Sequence, residues 1–179
     1  VKRNFNADHP DQLWVADFTY IQTHSGWVYT AFIIDVFSRA IVGWKVSTRM
    51  NTDMVLDALE QALHDRGMPK NVIHHSDRGV QYLSIRYTNR LEAANLRASV
   101  GTTGDSYDNA LAETVNGLYK TEVIEYLKAD WQGLADVQLA TLNWVDWFNK
   151  ERVHSALGYV SPFEFEAMYY DKINPLGQV

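Results

Sequence analysis

The chain has 179 residues, enough for one domain, and 46% of them are hydrophobic and 13% aromatic, which supplies a core and excludes a disordered class. It has no cysteine, so disulfides and thiolate metal sites are excluded and any metal must be held by oxygen or imidazole. The formal net charge of −6 argues against a protein that holds nucleic acid by bulk charge; such binding would have to be local and metal-assisted, with a separate basic domain elsewhere.

No apolar run approaches transmembrane length, and the start, Val1-Lys2-Arg3-Asn4-Phe5, lacks a signal-peptide core. A soluble, cytoplasmic protein without a membrane partner is expected. Val1 reads as a cut inside a longer chain. Residues 1–12 are polar and read as an N-terminal arm or linker, residues 13–170 as the core domain, and residues 171–179 as a C-terminal tail.

Residues 13–23 are rich in aromatic and β-branched side chains and predict a strand. His24-Ser25-Gly26 is a turn, and 27–37 (W-V-Y-T-A-F-I-I-D-V-F) is apolar enough to be a central strand. A short connection at Ser38-Arg39 leads to a third strand over 40–47, giving an antiparallel meander. The period then changes: Val55, Leu56, Leu59, Ala62 and Leu63 predict a helix over 52–66, stopped by Gly67 and Pro69. A fourth strand is expected at 71–75, a helix at 84–95 and a fifth strand at 96–100. Helices follow over 107–127, with Ser106 or Asp108 as cap, and over 132–150. Ser161 and Pro162 open a last short helix as N-cap and first-turn proline. This order predicts an α/β fold: a mixed sheet of three antiparallel strands plus two further strands, flanked by helices.

Three acids stand out. Asp17 lies mid-strand between apolar neighbours, where Asp is disfavoured, although a water-facing edge position would also fit. Asp77 follows the short fourth strand, where a sheet's carboxyl end opens to ligands; Asp-Arg-Gly is equally a good turn. Glu113 shares a helix face with Asn109, Asn116 and Lys120, at −4, +3 and +7, and that face could simply be solvated. Three carboxylates brought to one point repel each other and are costly to bury unless divalent cations take their oxygens as ligands. The combined pattern points to a metal-dependent nuclease site. Asp35 reads as a turn acid or an acid behind the site. His74 and His75 read as structural, and Arg152 and His154 as bracing the last helices against the sheet.

Thirty-five residues separate Asp77 from Glu113. With H-S-D-R-G-V-Q-Y (75–82), Y-D-N-A-L-A-E (107–113), D-V-F-S-R-A-I-V-G-W (35–44) and F-N-K-E-R-V-H-S-A-L-G-Y-V-S-P (148–162), the chain resembles the catalytic core shared by retroviral integrases and insertion-sequence transposases, and more closely the transposase branch. The resemblance runs from about Leu13 to Tyr169. It implies a ribonuclease-H-like fold, with Asp17, Asp77 and Glu113 as catalytic, metal-binding acids. Lys120 falls where the family carries a basic residue for DNA, and Asn109 and Asn116, on the same helix face, are further DNA-binding candidates.

The expected reaction is DNA strand cleavage followed by strand transfer with Mg²⁺ or Mn²⁺, as two ions. The expected partners are transposon ends and target DNA, with a homo-oligomer assembled on them. The alternatives are a ribonuclease-H-like nuclease or resolvase, and a non-catalytic DNA-binding relative. The sequence departs from the transposase branch before Y-D-N, where V-G-T-T-G-D-S carries no Lys or Arg. The retroviral zinc module and a helix-turn-helix are not found in it.

Overall fold

The alternating aromatic and β-branched residues from Leu13 build the strand on which the sheet is assembled. The computed structural model of the protein describes residues 7–76, 84–100, 110–126 and 130–173. Strand β1 (Leu13–Thr23) pairs antiparallel with β2 (Gly26–Asp35), from Trp14 opposite Asp35 to Thr23 opposite Gly26. Gly26, at φ +110°, supplies the backbone conformation the hairpin turn requires. Strand β3 (Ile41–Ser47) continues the meander as an edge strand. Helix α1 (Thr52–Asp65), capped by the Asn51 side chain on the Met54 amide at 3.1 Å, carries the chain across to β4 (Ile73–Ser76). Helix α2 (Ile85–Ala93) then leads to β5 (Arg97–Val100). Strand β4 runs parallel to β1, and β5 parallel to β4, so the sheet order is β3-β2-β1-β4-β5.

Both faces of the sheet are covered, which is why β2 is apolar with little alternation. On one face Trp14, Ala16, Ala31 and Ile33 pack against Met54, Leu59 and Leu63 of α1 and Tyr87 and Leu91 of α2. On the other, Val15, Phe32 and Ile34 pack against helix α3 (Ala110–Tyr119) and helix α4 (Leu134–Lys150) through Val115, Tyr119, Val137, Trp144 and Phe148. Helix α5 (Pro162–Ile173) packs on α4. The Ser161 hydroxyl accepts from the Glu164 amide at 3.3 Å, and Glu164 Oε1 accepts from the Ser161 amide at 3.4 Å, a reciprocal cap.

Four details depart from simple periodicity. The register between β2 and β3 slips at Ile33/Ile34, and the exposed side of β3 at Ile41 is closed by a side chain. Asn149 of α4 accepts from the Ile41 amide at 2.8 Å and donates to its carbonyl at 2.9 Å. Gly43 sits against α1 so closely that a Cβ there would lie 2.3 Å from the Ala58 carbonyl oxygen. The long helix expected over 107–127 is α-helical only to Tyr119 and continues as a π-helical turn over Lys120–Glu125. One wide turn adds a single residue and leaves the apolar spacing Val115–Tyr119–Val123 intact, so the sequence pattern did not distinguish it. The expected caps Ser106 and Asp108 lie outside the described residues.

Candidate active site

Asp17 projects from β1 on the face covered by α3 and is half-buried. Its Oδ1 accepts from the Phe18 amide at 2.8 Å, and its Oδ2 accepts from Asn116 Nδ2 at 3.0 Å. Asn116 lies one turn beyond Glu113, so one helix presents both the candidate acid and the group that holds Asp17. The Asn116 Oδ1 is buried and has no hydrogen-bond partner among the described residues. A buried amide oxygen left unsatisfied beside a carboxylate is a place where a cation or its water would be accommodated. Glu113 is exposed in the first turn of α3.

The rotation of α3 is fixed from below. Thr141 donates to the Val137 carbonyl at 2.7 Å, so its hydroxyl oxygen accepts from the Tyr119 hydroxyl, also at 2.7 Å. The Tyr119 oxygen in turn accepts from Thr30 on β2 at 3.2 Å. Burial raises the pKa of this hydroxyl despite those bonds, so it stays protonated. Tyr119 also stands edge-on to Phe32, with ring centroids 5.0 Å apart. With Tyr119 anchored, Asn116 faces Asp17 and Lys120 faces the β1–β2 hairpin. The Lys120 ammonium lies 5.6 Å from the centroid of the Tyr20 ring.

Asp77 and Asn109 lie outside the described residues. The residue before Asp77, Ser76, pairs with Ala16, the residue before Asp17, at the end of the β1–β4 ladder. Among the described residues no group of three His, Asp or Glu side chains is placed to hold a metal ion. His74 is buried and its Nε2 meets the Tyr87 hydroxyl at 2.7 Å; burial lowers its pKa to about 4, so it is a neutral structural histidine. His75 is buried beside Val15.

Several polar groups, Glu122, Arg66 and Glu166 among them, were not singled out by motif. Glu122, in the π-helical turn, accepts from Arg152 Nη2 at 2.6 Å and Nε at 3.1 Å, and from Trp144 Nε1 at 3.1 Å. Burial would raise this carboxyl, but those donors and the Arg152 charge outweigh it and hold the pKa low. Arg152 therefore braces the end of the Glu113 helix rather than the sheet. His154, edge-on to Phe148, is kept neutral by burial and by the nearby Arg152 and Arg39 charges, with a pKa of about 4. Behind the sheet Asp35, fully buried, accepts from the Asp11 and Ser38 amides, both at 2.8 Å. Arg66 clamps Glu166 with two bonds, at 2.9 and 2.6 Å, and also donates to Asp11 at 2.9 Å. No signal within any one segment marks Glu122, Arg66 or Glu166, because their partners are distant in sequence.

Residues 7–106 match a family model described as integrase core domain, and residues 94–162 match a second model of the same description. The transposase for insertion sequence element IS629 of Shigella sonnei is 58% identical over 97% of the chain, and transposase InsF for insertion sequence IS3A of Escherichia coli is 39% identical over 93%. The chain spans 57% of the length of each of these relatives. Among solved structures, the HTLV-2 integrase catalytic core domain in complex with magnesium superposes with a TM-score of 0.71 at 18% identity, over 90% of this chain and 99% of that one. The simian T-cell lymphotropic virus intasome gives a TM-score of 0.75 at 17% identity, over 93% of this chain and 56% of that one. The mixed five-stranded sheet is thus the ribonuclease-H-like sheet of those cores, as the resemblance implied.

Proposed function

From the premise that the chain belongs to the integrase core domain family, we propose that it is the catalytic core of an insertion-sequence transposase that cuts DNA strands and joins them to a target. The observation that carries this reading is the bond from Asn116 to Asp17. It ties the helix bearing Glu113 to the strand acid at 3.0 Å, which brings two of the three candidate carboxylates to the same face of the sheet. Asp77, which follows the strand residue paired beside Asp17, completes the proposed set.

The donor set fits a hard divalent cation. It consists of carboxylates and an amide oxygen that has no hydrogen-bond partner among the described residues, with no thiolate in the chain. Asp17, Asp77 and Glu113 would hold two ions, Mg²⁺ or Mn²⁺. When bound, such ions supply the charge that activates an attacking water or 3′-hydroxyl and stabilises the leaving oxygen. The chain's own residues do the positioning. Asn116 holds the Asp17 carboxylate in place, so that it would be oriented for a cation before one binds. Lys120, with Asn109, would bind phosphates next to the cut. The partners proposed are the ends of the mobile element and the target DNA, engaged by a homo-oligomer assembled on DNA.

Glu113→Gln tests the reading, because Gln keeps the shape and removes the charge that holds a cation. The variant is expected to keep the wild-type circular dichroism spectrum while losing nicking of supercoiled plasmid in Mn²⁺ or Mg²⁺. Nicking by the variant at the wild-type rate would sink the assignment. Luminescence of Tb³⁺ bound to the chain, weakened in Asp17→Asn, reads out the ion independently of cleavage.

A further inference from the structure

We propose that the exposed Tyr20–Trp27 pair on the β1–β2 hairpin, with Lys120 beside it, is a stacking site for an unpaired base in the DNA strand flanking the cut; this rests on the strand-cutting reading above. Tyr20 and Trp27 lie on adjacent strands, with ring centroids 5.3 Å apart at an interplanar angle of 83°. They remain 56% and 49% exposed, although both are large and aromatic. The described ladder between β1 and β4 ends at Ala16 and Ser76, so the hairpin from Asp17 to Phe32 continues past the end of β4.

The position selects the occupant. Tyr20 stands three residues beyond Asp17, about 10 Å along the strand at 3.3 Å per residue, and its side chain leaves the opposite face, so a DNA strand reaches both by passing the β1 edge beyond the end of β4. That distance is roughly three phosphate steps at the 3.4 Å spacing of a duplex strand, and fewer for an extended one. Lys120, seven residues after Glu113, brings a cation to the Tyr20 ring. A strand that leaves Asp17 past this edge therefore meets, a few nucleotides on, two exposed rings set edge to face, with the Lys120 ammonium over the Tyr20 ring. Stacking platforms for unpaired bases combine these two elements: ring faces that accept any base, and a cation for the backbone. A paired base presents only its edge in a groove, so the rings favour a strand that is frayed or overhanging.

The other role open to the pair is structural, since a cross-strand Tyr–Trp contact stabilises a hairpin. The two roles separate on DNA ends carrying 2-aminopurine in a single-stranded overhang, with blunt ends of the same duplex as reference and Ca²⁺ in place of Mg²⁺. Wild type and Tyr20→Phe/Trp27→Phe are expected to quench the overhang fluorescence on binding. Tyr20→Leu/Trp27→Leu is expected to lose the quenching, with the ratio of overhang to blunt affinity falling roughly tenfold. If the Leu variant misfolds by circular dichroism, Trp27→Leu alone carries the same comparison. Quenching by the Leu variants equal to wild type, or equal losses on overhang and blunt ends, overturns the stacking site while plasmid nicking keeps the strand-cutting reading. Wild type that neither binds DNA ends nor nicks plasmid overturns both.

Discussion

Ser38 has one hydroxyl proton and two carboxylates within reach of it. Its Oγ lies 2.9 Å from Asp35 Oδ2 and 2.6 Å from Glu166 Oε2, and it also accepts from the Ala40 amide at 3.2 Å. With both acids ionised, one of these contacts has no proton between its oxygens. A proton on Asp35 closes the chain: Asp35 donates to Ser38, and Ser38 donates to Glu166. Burial pushes the Asp35 pKa from 3.8 to about 6, helped by the Glu166 charge and opposed by its amide donors. That difference corresponds to about 3 kcal/mol. Because the folded pKa is the higher one, this contribution is full below pH 4 and is lost as pH rises through about 6. His74 and His154 act in the opposite sense. Their folded values near 4 mean that stability present above pH 6.5 is lost as pH falls toward 4. The expected outcome is therefore a difference. In urea titrations from pH 4.5 to 7.5, wild type loses stability relative to Asp35→Asn as pH rises, by about 2 kcal/mol. A constant gap between the two profiles would refute the shared proton. The sequence placed Asp35 at a turn, which it is, but its partner Glu166 lies 128 residues from Ser38, so no local pattern could reveal the charge it faces.

The elements themselves were largely legible, because each follows a period. All five strands and helices α1, α2, α4 and α5 lie within a few residues of their apolar patterns. Contacts between elements were not legible. A glycine inside a strand ordinarily weakens it, yet Gly43 is the point where β3 meets the α1 backbone. Gly43→Ala would place a methyl 2.3 Å from the Ala58 carbonyl oxygen and 3.0 Å from the Ala62 side chain, neither of which can rotate away. The strand and helix must then separate, with a stability loss of about 1–3 kcal/mol and a melting temperature lower by several degrees. Unchanged thermal denaturation would show that α1 can slide at no cost. The candidate site divides along the same line. Glu113, Asn116 and Lys120 were expected on one helix face from their spacing. That Asn116 holds Asp17, and that Lys120 lies over Tyr20, depends on how α3 crosses the β1–β2 hairpin.

Taken whole, the chain is acidic, and any affinity for DNA rests on a few cations rather than on its overall field. A net charge of −6 leads us to expect non-specific binding no tighter than about 10⁻⁴–10⁻⁶ M at physiological salt, with a shallow dependence on salt. Lys120→Ala should reduce the slope of log affinity against log salt by about one, uniformly across DNA sequences. Fluorescence anisotropy at several salt concentrations measures it, and an unchanged slope would mean that Lys120 touches no phosphate. No helix among the described residues is long and apolar enough to cross a membrane.

Asn149 stands in for a sixth strand where β3 has none, with its amide satisfying both backbone groups of Ile41. It arrives 108 residues after the strand it completes. On a ribosome making this chain, the meander emerges first and waits, with an apolar edge open to any other extended chain, until α4 leaves the exit tunnel. A message broken inside the α4 coding region should therefore yield a product that forms the first three strands and then aggregates. The full-length Asn149→Leu chain should show a milder form of the same defect. Light scattering during cell-free synthesis of the two chains would follow the open edge in time, and equal solubility of the truncated and complete products would show that the edge is protected by something else.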